Sequence, residues 1–264
     1  MKFLAGFIGI GNMGGALLDA VLRSTEPNKI NIFDTNTEKC AEKSANTGVI
    51  ISDIKTLANE SKFVFLGVKP NIIKFVAEDI KNSLNEDTVV VSMAAGIDSD
   101  MLCGLLNTDK IIRIMPNTPV SVGEGMILYT TQKGVTNQEL ETFLNLISKA
   151  GRNDFIEEKF IDAAAALSGC GPAFVYMFAE ALADGAVKCG LSREKALLYA
   201  KQTIYGSGAM MLNTEKHPGQ LKDDVCSPGG TTIEGVLALE DGSFRHTVAS
   251  AVSAAYNKTA KLKK

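Results

Sequence analysis

Hydrophobic and polar positions divide the chain into two textures. From Lys2 to about Glu157, short apolar runs recur at Leu4–Ile10, Ile30–Phe33, Val49–Ile51, Phe63–Leu66, Thr88–Ser92, Ile111–Met115 and Met126–Tyr129. Near-continuous apolar runs suit strands of a parallel sheet covered on both faces. Between them, Ala16–Leu22, Glu38–Ala45, Ile72–Leu84 and Asn137–Lys149 carry helical periodicity. Such alternation predicts a doubly wound α/β domain with right-handed crossovers. After about Phe160 the strand signal stops, and Ile161–Leu167, Ala173–Cys189, Arg193–Leu212, Ile233–Glu240 and Phe244–Leu262 read as helices. Pro172 suits a first helical turn, Gly190 suits the end of that helix and Ser192 the cap of the next. The expected domains are residues 1–158, α/β, and 159–264, all-α.

Composition supports this division and narrows the function. A chain of 264 residues fits about two domains. Its 27 basic and 30 acidic residues give a net charge of −3, without the basic excess of a nucleic-acid or membrane-surface binder. The lysines at 258, 261, 263 and 264 read as a solvated helix end that complements the helix dipole. Five widely spaced cysteines and two histidines argue against a disulfide framework or a metal site, and for a reducing cytoplasm. Two uncharged stretches, Phe3–Leu18 and Ala163–Ala179, invite a membrane reading. Glycines explain the first, and the second is interrupted by Gly169, Gly171 and Pro172 and falls short of the ~20 residues that a span needs. No membrane segment is expected.

Chemistry enters at Gly9-Ile10-Gly11-Asn12-Met13-Gly14. The motif follows a strand-like run, opens a helix, and is trailed twenty residues later by Asp34. This context marks a Rossmann-type dinucleotide fingerprint. Gly9 would allow the tight turn, Gly11 the approach of backbone to a pyrophosphate, and Gly14 close helix–strand packing. Asp34 would accept hydrogen bonds from the adenosine ribose and repel a 2′-phosphate, which favours NADH over NADPH. A plain helix cap is the alternative reading of Asp34, and a ligand-free glycine turn that of the loop. Val68-Lys69-Pro70 and Ala94-Ala95-Gly96 end two further strands and would face the same crevice. A solvated Lys69 and a simple turn at 94–96 remain open alternatives. Met115-Pro116-Asn117-Thr118-Pro119 is a rigid loop that serves structure or contact equally well.

A second motif, Ser227-Pro228-Gly229-Gly230-Thr231-Thr232, precedes a helical segment. Free backbone N–H groups, two hydroxyls and a helix dipole there would hold a small carboxylate. Capping by Thr231 or Thr232 is the bland alternative.

Together with GVKP, SMAAGI, RIMPNTP and LSGCGPAFVYMFAEALADGAVKCGL, these motifs resemble the pyrroline-5-carboxylate reductases over essentially the whole chain. The resemblance implies a nucleotide domain, a helical dimerisation domain, and dimers that often assemble into decamers. The reaction it implies is NAD(P)H-dependent reduction of the C=N bond of 1-pyrroline-5-carboxylate to proline. By position, Gly9 to Met13 would bind pyrophosphate, and Val68, Lys69 and the Ala94–Gly96 turn would line the nicotinamide side. Amides of Gly230, Thr231 and Thr232 would hold the substrate carboxylate, and the Thr232 hydroxyl would meet the ring nitrogen. Glu158 matches a position associated with the substrate pocket. Three positions depart from the family pattern: Ile54 and Asp224 replace common asparagines, and Cys170 replaces a serine and would be a buried packing residue.

Small residues at Ala179, Ala181, Ala183, Gly185 and Ala186, after Phe174, Tyr176, Met177 and Phe178, would form the dimer seam or an internal core. Two rival functions remain, a β-hydroxyacid-type dehydrogenase and a non-catalytic nucleotide sensor. The first needs a catalytic lysine that Ser168–Pro172 does not supply, the next being Lys188.

Overall fold

The computed structural model describes residues 1–262, which divide into two compact units. Residues 1–170, joined by residues 256–262, form the first, and Gly171–Ala255 the second. Two of the C-terminal lysines, Lys263 and Lys264, lie outside the described residues.

The first unit is built on strands β1 (Phe3–Ile8), β2 (Ile30–Phe33), β3 (Ile50–Ile51), β4 (Ser61–Leu66), β5 (Val89–Ser92), β6 (Ile111–Met115), β7 (Gly125–Thr131) and β8 (Gly151–Phe155). Its helices are α1 (Asn12–Leu22), α2 (Thr37–Thr47), α3 (Ile54–Glu60), α4 (Ile73–Ile80), α5 (Ser99–Leu106), α6 (Asn137–Leu146) and α7 (Ile161–Ser168). The sheet order is β3-β2-β1-β4-β5-β6-β7-β8, parallel through β6. Strand β7 then runs antiparallel to β6, and β8 runs parallel to β7. This reversal departs from the parallel sheet expected. The loop after β6, residues 116–124 with a 3-10 turn at Thr118–Val122, falls short of the roughly dozen residues that a parallel crossover requires.

Alternation along each strand covers both sheet faces. On one, Phe7, Phe63 and Phe65 pack with Leu17, Leu18 and Val21 of α1 and Phe143 of α6; the Phe7 and Phe65 rings stack at 4.4 Å. On the other, Ile8, Val64, Leu66 and Val90 meet Leu57 of α3, Ile73 and Ile80 of α4, and Leu102 of α5. Helices α3 and α5 escape the sequence pattern because each is short, but Asp53 and Asp98 cap them by accepting first-turn N–H groups. Strand β8, Gly-Arg-Asn-Asp-Phe, is an exposed edge without apolar alternation.

Two ionic clusters tie elements together. At the amino ends of β4 and β6, Glu139 Oε1 accepts from the ammonium groups of Lys62 and Lys110. Its Oε2 accepts from the N–H and hydroxyl of Thr136, closing a capping box on α6. On β6, fully buried Arg113 donates to Glu158 and, at 3.4 Å, to Asp162 of α7. The Ser99 hydroxyl gives Glu158 Oε2 a further hydrogen bond of 2.6 Å. Farther along, Asn117 donates its side-chain amide to the Ser168 carbonyl at 3.0 Å. These contacts hold residues 159–170 to the sheet.

The second unit contains α8 (Gly171–Lys188), α9 (Arg193–Asn213), α10 (Pro218–Asp224), α11 (Thr231–Asp241) and most of α12 (Phe244–Leu262). Helix α8 ends at Lys188, the chain turns at Gly190, whose φ of +100° suits only glycine well, and Ser192 caps α9 by position without a side-chain hydrogen bond. Helix α8 serves two purposes. Ala183 and Ala186 pack internally against Ala196, Leu197 and Ala200 of α9. Phe174, Met177, Phe178 and Leu182 instead line an open apolar groove of about 530 Å³ with Leu239 and Phe244. Cys170 is exposed at the turn between α7 and α8, which corrects the expected buried packing role. That turn interrupts the apolar stretch without ending it. Glu158–Lys188 makes a 31-residue helical run, long and apolar enough by length and composition to cross a membrane, against the expected shortfall.

Candidate active site

The glycine loop forms where β1 gives way to α1. Gly9 adopts φ +87°, and a Cβ there would collide with Val68 and the Gly67 backbone. Gly14 faces inward, where a side chain would overlap the Gly9 carbonyl, so its hydrogen lets α1 pack against the loop. Around Gly11 nothing stands within 4 Å of an added Cβ. Backbone is therefore open to a ligand at that residue. Gly11 also caps α1 without a side-chain hydrogen bond, leaving the first-turn N–H groups of Asn12 and Met13 without intrahelical acceptors. These features fit a dinucleotide pyrophosphate.

Ile10 departs from its expected part. Its side chain is 1% exposed in the core and its N–H donates to Asp34 Oδ2 at 2.9 Å. It braces the loop and leaves phosphate contact to its neighbours. Asp34 follows β2, and its Oδ1 accepts the Asn36 N–H at 3.0 Å. The α2 cap is Asn36, which accepts from Lys39 N–H, so the capping alternative for Asp34 is set aside.

A cleft of about 360 Å³ opens beside this loop, lined by Gly9, Gly11, Asp34, Thr35, Val68 and Lys69 among others. Lys69 and Pro70 are exposed at the end of β4, Pro70 opening a 3-10 turn. At the end of β5 the expected wall is uneven. Ala94 is buried in the core, while Ala95 is exposed and Gly96 turns with φ +78° into open space. Asn117 is a brace, accepting the Met126 N–H as well as donating to Ser168. Glu158, half-buried, has both oxygens engaged by Arg113 and Ser99, a role in holding α7 that sequence did not reveal. Ile54 packs against the core at the start of α3.

In the helical unit, Gly229 at φ +65° turns the chain into α11, and Gly230 occupies the cap position. No side chain caps this helix, so Thr231 and Thr232 are its first two residues, not its caps. The Gly230 N–H is spent on the Ser227 carbonyl at 3.0 Å, which removes it from the expected carboxylate cradle. A Cβ on Gly230 would overlap Ser227 Oγ, so the residue shapes the turn. The N–H groups of Thr231 and Thr232 and both exposed hydroxyls remain at the positive end of the helix. Nearby Asp224 is held by Lys216 at 2.7 Å and Gln220 at 2.9 Å, and these hydrogen bonds lower its pKa.

Comparison with known proteins agrees with both regions. Residues 158–262 match the family model for pyrroline-5-carboxylate reductase dimerisation, and residues 5–96 that for NADP oxidoreductase, coenzyme F420-dependent. The pyrroline-5-carboxylate reductase of Escherichia coli (strain K12) is 41% identical over 268 residues, covering all of both chains. Among solved structures, the Plasmodium falciparum pyrroline carboxylate reductase with NADP bound is 34% identical with a TM-score of 0.88, again over all of both chains. A pyrroline-5-carboxylate reductase from Coxiella burnetii, 32% identical, reaches a TM-score of 0.92 over the same full coverage. With a glycine loop, an uncapped Gly-Gly-Thr-Thr helix and full-length kinship, the chain belongs to the pyrroline-5-carboxylate reductases, NAD(P)-dependent oxidoreductases.

Proposed function

We propose that the chain reduces 1-pyrroline-5-carboxylate to proline in the cytoplasm, outside any membrane, as dimers joined through the helical unit that assemble further into decamers. The observation that carries the reaction is the uncapped start of α11, where an anion-seeking helix end carries two threonines. The Thr231 and Thr232 amides bind the substrate carboxylate, and the Thr232 hydroxyl orients the ring nitrogen. A threonine hydroxyl is a weak acid, so it passes a proton from water to the nitrogen. Asn12 and Met13 amides with Gly11 hold the pyrophosphate, and Val68, Lys69, Ala95 and Gly96 border the nicotinamide side. NAD(P)H supplies the hydride when bound. The protein's contribution is chiefly positioning, which needs reacting atoms held at ~3–3.5 Å.

The test is NADH and NADPH oxidation by purified protein with 1-pyrroline-5-carboxylate, proline being identified as product. The variant Thr232→Ala should lower kcat by up to ~10²-fold, the range of one orienting or proton-relaying group, with dinucleotide affinity unchanged. Full turnover in that variant removes Thr232 from the mechanism. Dinucleotide binding without imine turnover would instead identify a sensor.

A further inference from the structure

We propose that Asp34 makes this chain an NADH-selective reductase, and that the carboxylate itself is the selector. The inference rests on the dinucleotide reading of the glycine loop and goes on to choose between its two ligands. Asp34 stands at the end of β2 and lines the cleft shared with Gly9, Gly11 and Lys69. Its position is fixed from two sides, Oδ2 by the Ile10 N–H at 2.9 Å and Oδ1 by the Asn36 N–H at 3.0 Å. A carboxylate has about four acceptor sites, so each oxygen keeps a lone pair for a ribose hydroxyl. An adenosine ribose with free hydroxyls supplies donors to those lone pairs. A 2′-phosphate supplies none and sets negative charge against negative charge.

The surrounding cations do not reverse this preference. Lys43 is paired with Asp19 of α1. Together with Lys39 it lines the neighbouring cleft between α1 and α2, which shares Gly11 with the Asp34 cleft but not Asp34 itself. Among the described residues, Lys69 is the one cation lining the Asp34 cleft. It lies three residues beyond β4, and β1 stands between that strand and β2. Two strand spacings set the ends of β4 and β2 about 10 Å apart, so the Lys69 charge is taken to serve the phosphates common to both dinucleotides.

The test is equilibrium binding of NADH and of NADPH to the full chain without substrate, read from reduced-nicotinamide fluorescence. Competition by 5′-AMP and by adenosine 2′,5′-bisphosphate isolates the adenosine end. Loss of one or two charge-assisted hydrogen bonds predicts NADH binding roughly 10- to 100-fold tighter than NADPH. Asp34→Asn and Asp34→Ser remove the charge and also loosen the glycine loop, so both affinities fall while their ratio moves towards NADPH by about tenfold or more. Wild-type protein that binds NADPH as tightly as NADH overturns the proposal, as does an unchanged ratio in both variants. Binding of neither dinucleotide removes the site itself, and the proposed function with it.

Discussion

Glu139 offers a stringent test of the electrostatics that fasten α6 to the sheet. Burial acts to raise its pKa, but hydrogen bonds from Lys62, Lys110 and Thr136 outweigh it and hold the group at about 2, against an ordinary 4.5. A carboxyl whose folded pKa is depressed adds stability above its unfolded pKa, and loses it as pH falls towards the folded value. The side chain is 9% exposed, so solvent screens it little. At 1.36 kcal/mol per pKa unit, the full contribution is roughly 3 kcal/mol near neutrality, of which about 2 disappears by pH 3. Glu139→Gln keeps an acceptor for Thr136 and abolishes the titration. Urea midpoints should be measured for both proteins from about pH 7 to pH 3, at one fixed concentration because the chain self-associates. The wild type should lead by roughly 3 kcal/mol at neutrality, with the lead shrinking towards ~1 kcal/mol at pH 3. A gap that stays constant across this range would refute the reasoning, because carboxylates elsewhere titrate in both proteins alike. Turnover at neutral pH should not change, since the cluster sits at the amino ends of β4 and β6, away from the glycine loop.

Two further outcomes follow from the packing. Arg113→Met takes the guanidinium from Glu158 and Asp162, both of which keep other contacts or solvent, and should cost about 1–3 kcal/mol of stability, read from the urea midpoint; an unchanged midpoint would show that the pair contributes little. Met177→Glu puts a charge on the open apolar groove at a residue 70% exposed in the single chain. It should leave circular dichroism unchanged and shift sedimentation towards smaller species, and an unaltered sedimentation profile would place the association surface elsewhere.

The sequence carried much of this molecule in plain form, and its omissions have physical causes. Ile30–Phe33 and Ile111–Met115 were legible to the residue because strands covered on both faces are continuously apolar. Strand β8 was invisible because Gly-Arg-Asn-Asp-Phe lies exposed on an edge, held by its backbone register with β7. The reversal at β7 is written in the shortness of residues 116–124, a cue that apolar runs alone do not carry. At the candidate site, Gly9 and Gly14 make the tight turn and the close helix packing that their spacing implied, and the space beside Gly11 is open. Ile10 and Gly230 depart from their expected parts, because where a backbone N–H points cannot be read from the identity of its side chain. The partners of Arg113 gave no signal, since a lone charge in a strand looks the same whether it meets solvent or two partly buried carboxylates. A charge inside an otherwise apolar strand was the one available cue.

Helix α7 is anchored at both ends to the same strand and the loop that follows it. Arg113 grips Glu158 and Asp162 at its start, and Asn117 holds the Ser168 carbonyl at its finish. Eight helical residues rise about 12 Å, and the four-residue step from Arg113 to Asn117 covers about 13 Å of extended chain. The helix thus acts as a spacer cut to the length of its strand. Removing one residue would shorten it by about 1.5 Å and rotate its far end by about 100°, so both anchors could not hold together. Side chains along α7 other than Asp162 are free to vary within their packing, but its residue count is not. The point at which the chain leaves the sheet is fixed by a length.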